Sequence, residues 1–345
     1  MAAAKRLTQR DIARLAGVSQ ATVSLVLNSA DGNDGRIPAE TRNRVNKVIR
    51  DTGYVADPVA RRMVKGLNRI LGVFTYEPAF PSAQADFFTP FLLGIEEAAQ
   101  ELGYDLLLLT GAGTRRKIFG DNVRLRLADG CIILGRQFDP AELERLVTGD
   151  FPFVAVGRRD DAGGPVPYVG GDYAPATSAL VHRARDLGHH RIAYVGLNQG
   201  AESSEDRWQG FQDAIGGADL VTNINAVGRP AAEVLDILLA ADATCVFFTE
   251  LADAIAVEAL ARTRGLSIPG DLSIVVIGNH IRAEQATGTR FTSFAIPREA
   301  MARAATQMLV RRVEDDAPVE QLLLPCEPVE GETLGPVSTQ TIRIK

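Results

Sequence analysis

Residues 8 to 28, TQRDIARLAGVSQATVSLVLN, hold two short helical patterns joined by one glycine-bearing turn, the layout of a helix-turn-helix. Thr8 is placed to cap the first helix, and Asp11 to reach back to it as a capping box. Ile12, Ala13, Leu15 and Ala16 then supply a buried stripe. Gly17 permits the left-handed conformation that ends this helix, and Ser19 is placed to cap the next. In the second helix Val23, Val26 and Leu27 fall on one side, and Gln20, Ala21, Ser24, Leu25 and Asn28 on the other. A face of small and hydrogen-bonding side chains with one leucine suits a helix lying in a DNA major groove, its first turn at the base edges. Thr8, Ser19 and Thr22 join that face to make the candidate DNA-binding set. The same caps and stripes would also serve an ordinary helical hairpin, so the flanking sequence has to decide between the two.

Charge is the first discriminator. The whole 345-residue chain carries −6 at pH 7, a poor fit to a nucleic-acid binder until it is divided at Gly66. Residues 1 to 66 hold 12 basic against 6 acidic side chains, leaving 25 basic and 37 acidic beyond. Positive charge is concentrated where phosphate contacts need it. After a Gly, Asp and Asn-rich loop, Pro38 opens a third helix whose Thr41, Val45, Val48, Ile49 and Thr52 share a face, and Gly53 stops it. Asp57 to Gly66 (DPVARRMVKG) then has a cap residue, a proline at the first helical position and a closing glycine. It reads as a two-turn helix, too short to be stable without a partner.

From Ile70 the pattern changes. ILGVFTY, DLLLLT, GCIILG, FVAVG, RIAYVG, TCVFFT and SIVVIG are short apolar runs of the kind that form buried parallel strands. Between them lie helical patterns at Pro90 to Leu102, Ala141 to Val147, Pro175 to Leu187, Arg207 to Ile215, Ala231 to Ala240 and Leu251 to Arg264. This alternation predicts doubly wound α/β layers. About eight strands in some 250 residues fit two smaller sheets with a cleft between them better than one large sheet. Cys131, Cys245 and Cys326 are odd in number and far apart, which points to buried thiols rather than disulfides or zinc. There is no apolar run of membrane-spanning length and no signal-peptide pattern behind Met1 to Leu7, so a cytoplasmic protein is expected.

These residues together resemble the lactose-repressor (LacI/GalR) family of bacterial transcription regulators, nearly end to end. DIARLAGVSQATVSLVLN is similar to that family's helix-turn-helix, GYVADPVARRMVKG to its hinge, and GIEEAAQELGYDLLLL to the start of its effector domain. LGHHRIAYVG, RWQGF and RGLSIPGDLSIVVIG continue the likeness. The resemblance implies an all-α head with a hinge helix (residues 1 to 66, hinge about 57 to 65) and an α/β core (67 to 345) resembling a periplasmic sugar-binding protein. Its first subdomain would span about 67 to 166 plus 296 to 330, returning through the Arg298 to Glu314 helix and a Leu322 to Leu324 strand. Its second would span about 167 to 295. It further implies a homodimer on pseudo-palindromic double-stranded operator DNA; Ser338 to Lys345 is short and polar, unlike the leucine-heptad tail of tetrameric members. In the hinge, Val59 and Met63 would share a face, with Met63 as a wedge into the minor groove or as a dimer contact.

For the effector, the resemblance points to Phe87 and Phe88 before the first core helix, Arg158, Arg207, Glu250 and Asn279. An arginine and acceptors around aromatic rings suit a polyol. Many sugar-responsive relatives carry aspartate where this chain has Gly157 and Gly278, and asparagine where it has Glu250. A small carbohydrate-like effector is the expectation. Enzymatic chemistry finds little support: Thr110 to Arg116 begins like a dinucleotide loop but lacks the third glycine, and His189 and His190 have no second ligand or nucleophile at useful spacing. No cofactor or metal is expected. The expected function is a ligand-responsive DNA-binding regulator, a repressor by family; a cytoplasmic sugar-binding protein without a transcriptional role is the alternative.

Overall fold

A computed structural model describes residues 7–28, 37–54, 66–77, 85–109, 118, 123–217, 219–279 and 288–337. The chain divides into two compact units, Met1–Asn68 and Arg69–Lys345.

In the first unit three helices, α1 (Gln9–Ala16), α2 (Gln20–Asn28) and α3 (Ala39–Thr52), enclose a small core of Ile12, Ala13, Ala16, Val23, Val26, Ile37 and Val45. Thr8 and Asp11 form the capping box, and Gly17 closes α1 at φ 64°. Gly53 closes α3 at φ 62°. The Arg44 Nε donates to the Ala16 carbonyl at 2.9 Å, satisfying an acceptor that the end of α1 leaves open. Leu15 corrects the expected stripe, since it is 54% exposed. Ile12, Ala13 and Ala16 centre the buried stripe, and Leu15 lies about 100° around the helix from that centre.

The second unit holds two six-stranded sheets. The first has the order β11-β5-β4-β3-β1-β2, from β1 (Ile70–Thr75), β2 (Asp105–Leu109), β3 (Gly130–Leu134), β4 (Phe153–Val156), β5 (Tyr168–Asp172) and β11 (Gln321–Pro325). The second has the order β12-β10-β9-β8-β6-β7, from β6 (Arg191–Val195), β7 (Leu220–Ile224), β8 (Cys245–Glu250), β9 (Ser273–Asn279), β10 (Thr292–Ala295) and β12 (Glu327–Val329). All pairs are parallel except β10 with β12. All seven apolar runs are strands. The less apolar β5, β7, β10 and β12 lacked a legible run; β7, for example, is largely exposed.

Both sheets are covered on both faces, as parallel sheets require. Along β3, Ile132 and Leu134 join one cluster while Cys131 and Ile133 join the other. Along β8, Val246 and Phe248 face one side, Cys245 and Phe247 the opposite one. Helices α4 (Ala85–Glu101) and α10 (Arg298–Glu314) pack on the first sheet. They approach so closely that a Cβ on Gly94 would lie 2.3 Å from the Glu299 carbonyl oxygen. Helix α5 (Pro140–Val147) starts at an Asp139 cap, whose carboxylate accepts from the Ala141 and Glu142 N–H groups. On the second sheet, α6 (Tyr173–Asp186) and α7 (Glu202–Ala214) cover one face, and α8 (Ala231–Ala240) and α9 (Leu251–Thr263) the other.

The expected subdomain limits need two corrections. Tyr168–Asp172 pairs with Phe153–Val156 in the first sheet rather than starting the second. Glu327–Val329 pairs with β10 in the second sheet although it lies within the expected 296 to 330 return. The chain therefore passes between the sheets at Asp172/Tyr173, between Ala295 and Arg298, and around Cys326. The three cysteines are free and buried. Among the described residues no helix is long and apolar enough to cross a membrane, and no cluster of metal-ligating side chains occurs.

Candidate functional site

The outward side of α2 is built from its caps. The Ser19 hydroxyl accepts the Thr22 N–H at 3.1 Å and lies 2.8 Å from the Thr22 hydroxyl. Thr8 similarly accepts from the Asp11 N–H and donates to its carboxylate at 2.8 Å. Three of the candidate DNA-contacting hydroxyls thus already hold helix starts in place. Beyond them Gln20 and Ala21 are exposed and Ser24 is half-buried. The Gln20 side-chain Oε1 accepts from Arg10 Nε at 3.3 Å. Leu25 is 41% exposed, an apolar group on a polar face. Asn28 ends α2, its side chain outside the described residues, and Val59, Met63 and residues 110–116 also fall outside them.

In doubly wound sheets ligands collect beyond the carboxyl ends of the strands, where the winding order reverses. In the first sheet that point lies between β1 and β3, and in the second between β6 and β8. Arg136 follows β3 and Glu250 ends β8; Arg136 Nη1 stands 3.5 Å from Glu250 Oε1. The two reversal points therefore face each other across one seam. Arg136 also lies over the Phe87 ring, 4.9 Å from its centroid, and its N–H donates to Glu77.

Two further ion pairs cross the seam. The Arg158 Nε donates to Asp206 of α7 at 2.9 Å, and its Nη1 to Asp160 at 2.5 Å. Burial works against the Arg158 charge, but the two carboxylates outweigh it and hold its pKa above the ordinary arginine value. Burial raises the Asp206 pKa against the pull of Arg158. Arg159 is almost wholly buried, donates to Glu202 at 2.9 Å and to the Gly135 carbonyl at 2.6 Å, and lies 3.9 Å from the Phe138 ring centroid. Burial lowers its pKa, with Glu202 opposing.

Arg207 shares the buried stripe of α7 with Gly210, Phe211 and Ala214, which is why a charged residue points inward. Its Nε donates to the Ile277 carbonyl and its Nη1 to the Ser203 carbonyl, both at 2.6 Å. The guanidinium lies 4.0 Å from the Tyr173 ring centroid. Tyr173, Arg298 and Cys326 stand at the three crossings between the sheets, and burial raises the tyrosine pKa and pushes the Cys326 thiol up to about 11. Arg298 is 5% exposed, 5.5 Å from the Phe87 ring centroid. Its Nε and Nη2 are buried with no hydrogen-bond partner among the described residues. Burial pushes its pKa down to about 10; Tyr173 opposes that shift, while Arg207 and Arg136 add to it.

The structure thus brings Phe87, Arg158, Arg207 and Glu250 to one seam. Phe88 is 1% exposed in the first-sheet core and is a packing residue. Both phenylalanines lie inside α4 rather than before it, because the helix starts at Ala85 and Pro90 falls within its first half. Asn279 is the β9 partner of Glu250 in the backbone register. Gly157 has φ 104°, a region side chains rarely adopt. Gly278 is glycine for another reason: the β8/β9 register shift brings the Thr249 carbonyl oxygen to within 1.7 Å of where a Cβ would stand. Sequence reasoning missed Arg136, Arg159, Tyr173 and Arg298. A legible signal existed for Arg136, directly past a strand end.

Residues 8–57 match the family described as bacterial regulatory proteins, lacI family, and residues 181–334 the periplasmic binding protein-like domain. The chain is 28% identical over 335 residues to the HTH-type transcriptional regulator CelR of Thermobifida fusca, covering 92% of this chain and 96% of the relative. It is 27% identical over 321 residues to the HTH-type transcriptional repressor CytR of Escherichia coli K12, covering 89% and 90%. Among solved structures, a CelR complex with cellobiose superposes with a TM-score of 0.64 at 26% identity, covering 95% of this chain and 100% of the other. The lac repressor dimer bound to operator and the anti-inducer ONPF gives 0.75 at 19% identity, over 96% and 100%, a likeness of fold.

Proposed function

We infer how this chain works from the premise that it belongs to the lacI family of bacterial regulatory proteins and is a ligand-responsive, DNA-binding transcriptional regulator. Gln20, Ala21, Ser24 and Leu25 read base edges from the exposed side of α2, while Thr8, Ser19 and Thr22 hold the helix starts against the phosphate backbone. Val59 and Met63 contact the groove between half-sites, a role resting on the likeness of GYVADPVARRMVKG to the family's hinge. The protein acts in the cytoplasm as a repressor, two copies on a pseudo-palindromic operator, without catalysis of its own.

The effector occupies the seam between the two sheets, with Arg207 as its principal polar contact and Phe87 as an apolar wall. The observation that carries this reading is the Arg136 to Glu250 contact, which brings both sheets' reversal points to one place. The bound cellobiose of the CelR structure supports a carbohydrate-like ligand. A ligand touching both halves alters their relative geometry, and by linkage its affinity and that for operator are coupled. Site selection from random duplex DNA with the full chain, then nuclease footprinting with and without a panel of sugars, tests this. We expect an inverted-repeat site whose protection one sugar changes. Enrichment of no site would overturn the DNA-reading assignment, and a footprint indifferent to every ligand class would overturn the effector assignment.

A further inference from the structure

We propose that the ligand of the seam carries an anionic group, a carboxylate or phosphate on a sugar, and that Arg298 is the residue that binds it. The proposal rests on the reading of the seam as the effector site and specifies the chemistry of what enters.

The way charges are paired at the seam, rather than their sum, points to an anion, since Glu77 also borders it beside Arg136 and Arg159. Five arginines meet there: Arg136, Arg158, Arg159, Arg207 and Arg298. Carboxylates answer three of them, Glu250 for Arg136, Asp206 and Asp160 for Arg158, and Glu202 for Arg159. Arg207 directs its Nε and Nη1 hydrogen bonds at two main-chain carbonyls and makes no close ion pair among the described residues, Asp206 acting on it only at longer range. Arg298 is more extreme, being 5% exposed with Nε and Nη2 unsatisfied among the described residues. Tyr173 and Cys326 beside it are neutral at physiological pH, since burial raises both pKa values.

A buried, unpaired guanidinium is costly, and so are its unmade hydrogen bonds. An apolar side chain of that size would suit the packing better, unless the charge serves a ligand. Arginine is the cation whose planar fork matches carboxylate and phosphate oxygens and which stays charged when buried. The Arg136 and Arg298 guanidinium groups both lie near the Phe87 ring, 4.9 and 5.5 Å from its centroid. A ligand can then rest a sugar face on the ring and direct its oxyanion at Arg298, with Arg207 on hydroxyls. Placement at the crossing from β10 into α10 adds a consequence. The anion would engage a residue at one of the three crossings between the sheets, so binding acts where the two halves are joined.

The test uses the full chain, its Arg298→Met variant, which keeps volume and removes charge, and Arg298→Lys, which keeps charge and loses the fork. Melting is followed with D-glucose, D-glucuronate, D-glucose 6-phosphate and inorganic phosphate, with chloride matched for ionic strength. A ligand that binds the folded state raises the melting temperature. We expect glucuronate or glucose 6-phosphate to protect the wild type where glucose does not, the responding member identifying carboxylate or phosphate as the source. Arg298→Met should weaken that binding by roughly 100-fold, the scale of a lost charge-assisted pair, with Arg298→Lys intermediate. Inorganic phosphate should protect the wild type more than Arg298→Met, and the free Arg298→Met protein should melt at or above the wild type because an unpaired buried charge is gone. A free variant that melts well below wild type would overturn the proposal by showing the guanidinium to be structurally paired. Equal protection of wild type and Arg298→Met by glucose would overturn it while leaving the sugar-effector reading intact. An Arg298-dependent phosphate response with no response to any sugar would keep the anion site and remove the sugar. Phosphate protection equal in both proteins, with no sugar response, would overturn it as well.

Discussion

Arg136 and Glu250 meet at 3.5 Å across the seam, each placed just where its own sheet reverses its winding order. They are one of three ion pairs that join the halves among the described residues, and the three are graded by exposure. Their side chains are 48% and 54% exposed, those of Arg158 and Asp206 are 21% and 20%, and those of Arg159 and Glu202 are 3% and 18%.

That gradient should be visible in stability. Breaking a buried pair leaves an uncompensated charge, so Glu202→Gln should cost about 3 kcal/mol. An exposed pair is worth under about 1 kcal/mol, so Glu250→Gln should change little. Urea denaturation of the two variants measures both. Equal losses would mean that exposure does not rank these bridges.

Gly278 should resist substitution. A Cβ would stand 1.7 Å from the Thr249 carbonyl oxygen, so the backbone must shift to admit even a methyl group. We expect Gly278→Ala to cost about 1 to 3 kcal/mol, as other overpacked sites do, and Gly278→Asp no less. Gly217, with nothing within 4 Å of its added Cβ, is the control, and Gly217→Ala should stay within about 0.5 kcal/mol. A stable Gly278→Asp protein would show that the β8/β9 contact yields easily.

His189 predicts a pH dependence. Its Nε2 donates to the Gly335 carbonyl and its Nδ1 accepts from Thr244, both at 2.9 Å, in the tautomer protonated at Nε2. Burial lowers its pKa below the ordinary histidine value of 6.5; the Gly335 bond opposes that shift and His190 adds to it. The unfolded chain therefore takes up the proton first as pH falls. Stability is lost from about pH 6.5 downward until the folded histidine also protonates. His189→Gln should flatten that stretch of the curve of melting temperature against pH. An unchanged slope would assign the acid sensitivity to other groups.

Leu25 offers a test of the reading face. Arginine there would pair with guanine O6 and N7 and discriminate by about 1 to 3 kcal/mol, whereas leucine can only bury methyl groups against a thymine methyl. Site selection with Leu25→Arg should therefore gain a guanine at one position of each half-site. A wild type that already demands guanine there would remove Leu25 from the reading face.

Features that depend on neighbours along the chain were legible in the residues alone. Thr8, Asp11, Gly17 and Gly53 specify helix ends through local hydrogen bonds and φ angles. The apolar runs at β1, β3, β4, β6, β8 and β9 specify buried strands through composition. Leu15 escaped because a short stripe leaves its own edge undefined, and a side chain at that edge falls to solvent as readily as to core. Which sheet β5 and β12 join was settled only by tertiary packing, since their polar and glycine-rich sequences pair in response to neighbours elsewhere. The seam was likewise illegible. Arg298 looks like any surface arginine at a helix start, and Phe87 is indistinguishable in sequence from Phe88, which is core. Their difference arises when three crossings bring residues far apart in the chain within reach of one another, leaving one guanidinium enclosed among groups that do not neutralise it.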